Sequence, residues 1–149
     1  MIKAKSNGES LEDHVNKCLA IFAQLKDIYP NLGDFTGYPA FYDDVFNALF
    51  FHDFGKAAEG FQKSLRNDGV RWSYRHEILS TPFINCLTKE NTEFIKILVL
   101  THHKDVNELT KFIEDECDIG TRYDERLEEI KPNIGGLNEF IKRYPDISK

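Results

Sequence analysis

A single all-α domain is what this sequence predicts. Apolar residues recur at helical spacing in one segment after another, no stretch alternates convincingly as a strand does, and proline, glycine or asparagine separates the segments. At 149 residues, 41% of them hydrophobic and twelve of them Phe, the chain can fill one core and does not read as disordered.

The first helix starts near Leu11, with Ser10 or an earlier polar residue as its cap. Leu11, Val15, Cys18, Phe22, Leu25 and Tyr29 share one face, and Pro30, Asn31 and Gly33 end it. His14 borders that face. Residues 31–40 read as a loop with Gly33, Gly37 and Pro39. A second helix spans about Ala40 to Asp53 and turns Val45, Leu49 and His52 to one side, so that His52 faces inward. Gly55 suits a sharp turn at its end. Ala57 to Arg66 forms a short third helix carrying Phe61, Gln62 and Leu65. Asn67-Asp68-Gly69 is a turn, followed by a loop to Arg75 in which Trp72 pins the chain to the core.

His76 opens the fourth helix, which continues through Ile78, Leu79, Phe83, Ile84 and Leu87. Pro82 within it predicts a kink or two short helices. Asn91-Thr92 caps a fifth helix, where Phe94, Ile95, Leu98, Val99 and His102 share a face. His103 lies about 100° further round and reaches the same cavity from its edge. Beyond Lys104 the pattern weakens. Leu109–Glu116 and Tyr123–Ile130 read as short surface helices, Pro132-Asn133 and Gly135-Gly136 as breaks, and Leu137–Tyr144 as a last amphipathic turn or two.

Several function classes fall away on composition. No run approaches the roughly 18 apolar residues of a membrane span, and the N-terminus lacks the apolar stretch of a signal peptide. A cytoplasmic protein is expected. Cys18, Cys86 and Cys117 are too few and too scattered for a disulfide framework, and Cys18 and Cys86 read as buried core thiols. The net charge of −6 is unevenly spread: −4 over residues 1–53, +3 over 54–104 and −5 over 105–149. An acidic chain is a poor non-specific nucleic-acid binder. A polyanion would have to be met locally, and Lys56, Lys63, Arg66, Arg71, Arg75 and Lys104 are the candidates; a solvated mixed-charge surface is the alternative.

The chemistry centres on Phe50-Phe51-His52-Asp53-Phe54-Gly55-Lys56. Imidazole nitrogen and carboxylate oxygen are both good donors to divalent transition metals. All five histidines, His14, His52, His76, His102 and His103, occur in short apolar contexts. Each alone could be a buried histidine bonded to a backbone carbonyl, and Asp53 could simply pair with a lysine. Together, several buried imidazoles need several partners, and a metal cluster satisfies them at once. Nitrogen-rich ligation with one carboxylate suits Mn, Fe, Co, Ni or Zn, with Mg admitted, better than Ca. With Asp53 bridging, two ions would sit roughly 3.5–4 Å apart, acidify a shared water to a hydroxide nucleophile and hold phosphate oxygens. Lys56 would offset charge building up in the transition state.

The ordered set His14, His52-Asp53-x-Gly-Lys56, Phe61-Gln62, His76 after an arginine, and His102-His103 resembles the HD superfamily of metal-dependent phosphohydrolases. More narrowly, it is similar to the HD nuclease domain of the type I CRISPR nuclease-helicase. The resemblance runs from His14 to His103. It implies one ion held by His14, His52 and Asp53, and another by Asp53, His76, His102 and His103. It further implies cleavage of single-stranded DNA in antiviral defence, beside a helicase domain or subunit and a CRISPR surveillance complex. In that family a further Asp on a later helix completes the first ion's shell. Nothing after His103 matches it: Asp105 is too close to the doublet, and Asp118 and Asp124 are in surface-like contexts. The expectation is thus an HD nuclease domain over residues 1–149, a fragment that ends before the last ligand helix, with the first ion weakly held. Two alternatives stand beside it: an HD hydrolase of nucleotides or cyclic dinucleotides, and a catalytically impaired helical interaction module.

Overall fold

Ser10 does cap the first helix: its hydroxyl oxygen accepts the Asp13 N–H at 3.0 Å, and α1 runs Leu11–Ile28. The computed structural model describes residues 1–66, 71–88, 92–103, 106–115 and 119–144. The predicted turn at Asn67-Asp68-Gly69, and Asn91, Lys104, Asp105, Cys117 and Asp118, lie outside them. Among the described residues the fold is all-α, and the one β-type pairing is an isolated antiparallel bridge between Lys3 and Ser10. That bridge folds the N-terminal residues back along the start of α1 through a left-handed Gly8 (φ 94°).

The predicted loop at 31–40 contains a short helix, α2 (Leu32–Thr36), ended by left-handed Gly37. The second predicted helix is α3 (Phe41–Phe51). Its inner face differs from the expectation: Phe50 and Phe51 are wholly buried, whereas Val45 and Leu49 are only half-covered. Leu25 and Tyr29 in and after α1, and Phe94 in the fifth predicted helix, are exposed for a related reason. Periodicity marks an apolar stripe, but the neighbouring helices cover only part of its width.

A 3-10 turn (Phe54–Ala57) leads from the His-Asp doublet into α4 (Glu59–Leu65). His76 opens α5 (His76–Ser80). Pro82 then starts a 3-10 segment (Thr81–Cys86), the break its missing N–H demands. Cys86 is exposed there, against the expected core placement, because the 3-10 segment turns it outward. The fifth predicted helix is α6 (Glu93–Thr101), followed by α7 (Val106–Asp115) and α8 (Ile119–Glu128). Pro132-Asn133 falls in a 3-10 turn (Lys131–Asn133). Gly135-Gly136 does not break the chain but lies inside α9 (Ile134–Lys142), whose Leu137 and Phe140 are buried. No helix among the described residues is long and apolar enough to cross a membrane.

The core lies under the His-Asp turn. Phe50, Phe51 and Phe54 pack edge-on or tilted against one another, with ring centroids 5.0–5.2 Å apart, and Phe140 of α9 stacks on the same group. Leu79, Ile84, Ile95, Val99 and Leu137 complete it. Each such side chain contributes roughly 1.5–3 kcal/mol on burial. The doublet is therefore held at a point where α3 can shift little. Trp72 does pin its loop: its ring meets Phe61 and Tyr74, and its N–H donates to Glu129 Oε2 at 3.2 Å.

Candidate metal centre

Four helices deliver histidines to one carboxylate. His14 projects from the second turn of α1, His52 caps the C-terminus of α3, His76 opens α5, and His102 caps the C-terminus of α6. Asp53 sits between them, wholly buried. Its two oxygens face different partners. Oδ2 lies 3.1 Å from His14 Nε2, 3.3 Å from His52 Nε2 and 2.7 Å from Lys56 Nζ. Oδ1 lies 3.0 Å from His76 Nε2 and 3.6 Å from His102 Nε2. His103 completes that second side, its ring 4.1 Å from His102 and 5.1 Å from His76. Ligand atoms of Asp53, His76, His102 and His103 lie within 4.8 Å of one another, and so do those of His14, Cys18 and His52.

Both bland readings of the sequence turn out to describe half of this arrangement. His52 Nδ1 donates to the Leu49 carbonyl at 2.7 Å and His102 Nδ1 to the Val99 carbonyl at 2.6 Å, each a bond to the preceding helical turn. Asp53 does pair with Lys56. Yet these bonds leave Nε2 of each histidine turned towards the Asp53 carboxylate. Asp53 Oδ1, His76 Nε2 and His102 Nε2 are buried without a hydrogen-bond partner, the kind of orphan that native interiors avoid. A divalent ion among these atoms would give each of them a partner. Donors about 2.1 Å from a common ion and about 90–120° apart are roughly 3.0–3.6 Å from each other, the range seen around Asp53. The donor set fits transition metals.

Electrostatics agree. Burial pushes the Asp53 carboxyl up, but His102, His14, His52 and His76 outweigh it and hold the group well below the usual carboxylate range. Burial holds His76 below the ordinary imidazole value against the pull of Asp53. Burial, with His102 and His76 close by, holds His103 down to about 4. These two imidazoles are thus neutral near pH 7, as ligation requires.

An outer layer orients the donors. Glu77 Oε2 lies 3.5 Å from His76 Nδ1, and Glu77 is itself gripped by Arg75 at 2.6 and 3.1 Å. Glu9 Oε2 lies 3.5 Å from His14 Nδ1 and is held by Lys5 and Lys17. Such carboxylate–imidazole pairs fix ring orientation in metal sites. Ser80 joins the pieces: its Oγ accepts the Gly55 N–H at 2.8 Å and faces the carbonyls of His52 and His76 at 2.8 and 2.9 Å.

Gly55 has a different purpose from the sharp turn expected of it. Its φ is not left-handed; instead a Cβ there would meet the His76 carbonyl oxygen at 2.0 Å. The glycine lets α5 press its first residue against the doublet. Gln62 is also structural. Its Nε2 donates to the carbonyls of Lys3 (2.8 Å) and Lys56 (2.7 Å), and its Oε1 accepts the Lys3 N–H (3.0 Å), tying the N-terminal segment to the 3-10 turn. Phe61 lies beside His76 and beneath the Lys56 ammonium.

The six predicted donors thus converge, with His103 at the exposed edge. The predicted basic surface does not remain free: Lys63 pairs with Glu59 at 2.8 Å, and Arg75 is turned onto Glu77 behind His76. Arg66 and Arg71 are exposed, and Lys104 lies outside the described residues. Neither donor group among the described residues includes a carboxylate from beyond His103. Sequence reading missed Glu9, Glu77, Ser80 and the approach of Cys18. The adjacency of Glu77 to His76, and the four-residue step from His14 to Cys18, were the available signals. No protein-family model, curated protein or solved structure matches the chain.

Proposed function

We propose that this chain is a metal-dependent phosphodiesterase of the HD type, and that its substrate is single-stranded DNA. The observation that carries the hydrolase reading is the division of Asp53: one buried carboxylate turns each oxygen to a separate group of imidazoles. His14, His52 and Asp53 would hold one divalent ion and Asp53, His76, His102 and His103 another, and such ions would supply Lewis acidity towards a water and the phosphate oxygens. The chain's own residues do the rest. The carbonyls of Leu49 and Val99 keep the Nε2 lone pairs of His52 and His102 turned inward. Glu77, braced by Arg75, orients His76. Lys56, buried against Asp53, would offset the negative charge that builds on the phosphorane-like transition state as the sugar oxygen departs. The exposed His103 marks the side from which substrate enters.

The single-stranded DNA assignment, and with it a place in CRISPR defence beside a helicase and a surveillance complex, rests on the ordered motif set from His14 to His103. The pairing of Lys63 and Arg75 with acidic neighbours favours a second reading, hydrolysis of a nucleotide or cyclic dinucleotide, which needs less basic surface. One substrate panel tests both. Metal-loaded protein is expected to cut single-stranded DNA and to lose that activity as Asp53→Ala. Phosphate release from nucleotides with DNA left intact selects the second reading. Failure to bind any divalent metal, with Asp53→Ala leaving all hydrolysis unchanged, overturns both.

A further inference from the structure

We propose that Cys18 is a metal ligand, so that the Oδ2 side of Asp53 is a thiolate-bearing site of His14, Cys18 and His52, distinct in kind from the nitrogen-rich site on the Oδ1 side. The inference rests on the metal-site reading above and goes beyond it by adding a donor and a selectivity.

The geometry begins with α1. Cys18 is one helical turn beyond His14, a spacing that puts both side chains on the same face. That face looks across at the C-terminus of α3, where the His52 ring lies 5.4 Å from that of His14. The sulfur and the two imidazole nitrogens are within 4.8 Å of one another. In a tetrahedral site with bonds of about 2.3 Å to sulfur and about 2.0 Å to nitrogen, sulfur and nitrogen are roughly 3.5 Å apart. The closure required is therefore at most about 1.3 Å, shared between a turn of the Cys18 sulfur about its one side-chain torsion and small shifts of the two imidazole rings. Cys18 is half-buried, while Leu19, next in the chain, packs on the apolar core.

Charge gives a second, independent argument. Oδ2 of Asp53 already carries the Lys56 ammonium, 2.7 Å away. A divalent ion placed on the same oxygen with two neutral imidazoles would stand beside that cation with half of one carboxylate to offset both. A thiolate supplies the missing negative charge, its proton leaving to solvent as the ion enters. On the Oδ1 side no lysine contacts the carboxylate among the described residues, and three imidazoles complete the set. The two halves should then choose different ions. A thiolate selects softer metals such as Zn or Co over Mg or Mn, while imidazole with carboxylate is less particular.

Cobalt(II) titration of the metal-free full chain tests this. Wild type should bind two equivalents and develop a near-ultraviolet sulfur-to-cobalt charge-transfer band with one of them. Cys18→Ser should lose that band, keep the visible absorption of the imidazole-bound ion, and weaken one binding step by roughly tenfold or more, since even a lost outer-layer contact costs that much. A measurement needing no variant runs alongside: zinc should slow alkylation of Cys18, read by peptide mapping, and leave exposed Cys86 unaffected. Cobalt bound with no charge-transfer band, or Cys18 alkylated equally fast with and without zinc, overturns the thiolate site and leaves the hydrolase reading intact. No cobalt bound at all overturns both.

Discussion

Replacing Ser80 with Ala probes the joint on which the metal centre is built. The hydroxyl is wholly buried and has three partners within 2.9 Å: the Gly55 N–H, and the carbonyls of His52 and His76. It owns one proton, so it serves one carbonyl at a time while accepting from Gly55 throughout. Removing it orphans the buried Gly55 N–H, at about 1–3 kcal/mol, and forfeits one donation, at about 0.5–1.5 kcal/mol. The expected loss is thus about 1.5–4.5 kcal/mol in urea denaturation of the metal-free protein. For a chain of this length that corresponds to a fall of roughly 3–18 °C in Tm. The same change loosens both His52 and His76, so affinity for zinc should fall as well. Ser80→Thr keeps the hydroxyl but adds a methyl in a packed site, and should lose stability without the same loss of zinc affinity. If Ser80→Ala lowered stability by less than about 0.5 kcal/mol, the hydroxyl would not be the bridge its distances suggest.

Other perturbations separate local packing from metal chemistry. Gly55→Ala forces a Cβ onto the His76 carbonyl oxygen and should cost more than about 3 kcal/mol or prevent soluble expression. Gly135→Ala, with nothing within 4 Å of the new Cβ and a helical backbone to favour it, should instead stabilise by up to about 1 kcal/mol; thermal melts of the two variants check the opposite signs. Asp53→Ala leaves the Lys56 ammonium buried and unpaired, which should cost about 3–5 kcal/mol in metal-free protein, with Lys56→Met in the same background recovering much of it. Zinc at about a hundred times its dissociation constant should stabilise wild type by about 2.7 kcal/mol, reversed by chelator, and should not stabilise Asp53→Ala.

The histidine cluster was legible because its inward residues continue the helical periodicity of the apolar rows. His102 continues the row of Ile95 and Val99, both wholly buried, so its inward direction followed from spacing alone. His52 was placed inward by a row whose Val45 and Leu49 proved only half-covered; the deeper burial belongs to Phe50 and Phe51, one step round. What spacing could not supply was anything that depends on two backbones meeting. Ser80 is an ordinary polar residue in an apolar run until α5 is laid against the 3-10 turn. Gly55 reads as a turn residue until the His76 carbonyl is seen to pass where its side chain would be. Arg75 read as a free cation because Glu77 and the fold of its loop, not its own sequence context, take it out of solvent.

The remaining choice is between a catalytic centre and an ion that merely holds helices together, and the burial pattern bears on it. The cluster has one lysine donor on Asp53 and leaves Oδ1 and two imidazole nitrogens without a hydrogen-bond partner, which a cation would supply. Structural sites are closed on all sides by protein donors, whereas catalytic ones keep an approach for substrate. Here the Oδ2 side is backed by α1 and the buried Lys56. The Oδ1 side ends on His103, the one predicted donor exposed to solvent, next to His76 and His102, which are only partly covered. The two sides of Asp53 thus differ in kind: Oδ2 carries the Lys56 ammonium, whereas the imidazoles gathered at Oδ1 include the exposed His103. On the proposed hydrolase reading, that exposed edge is where a phosphate would approach.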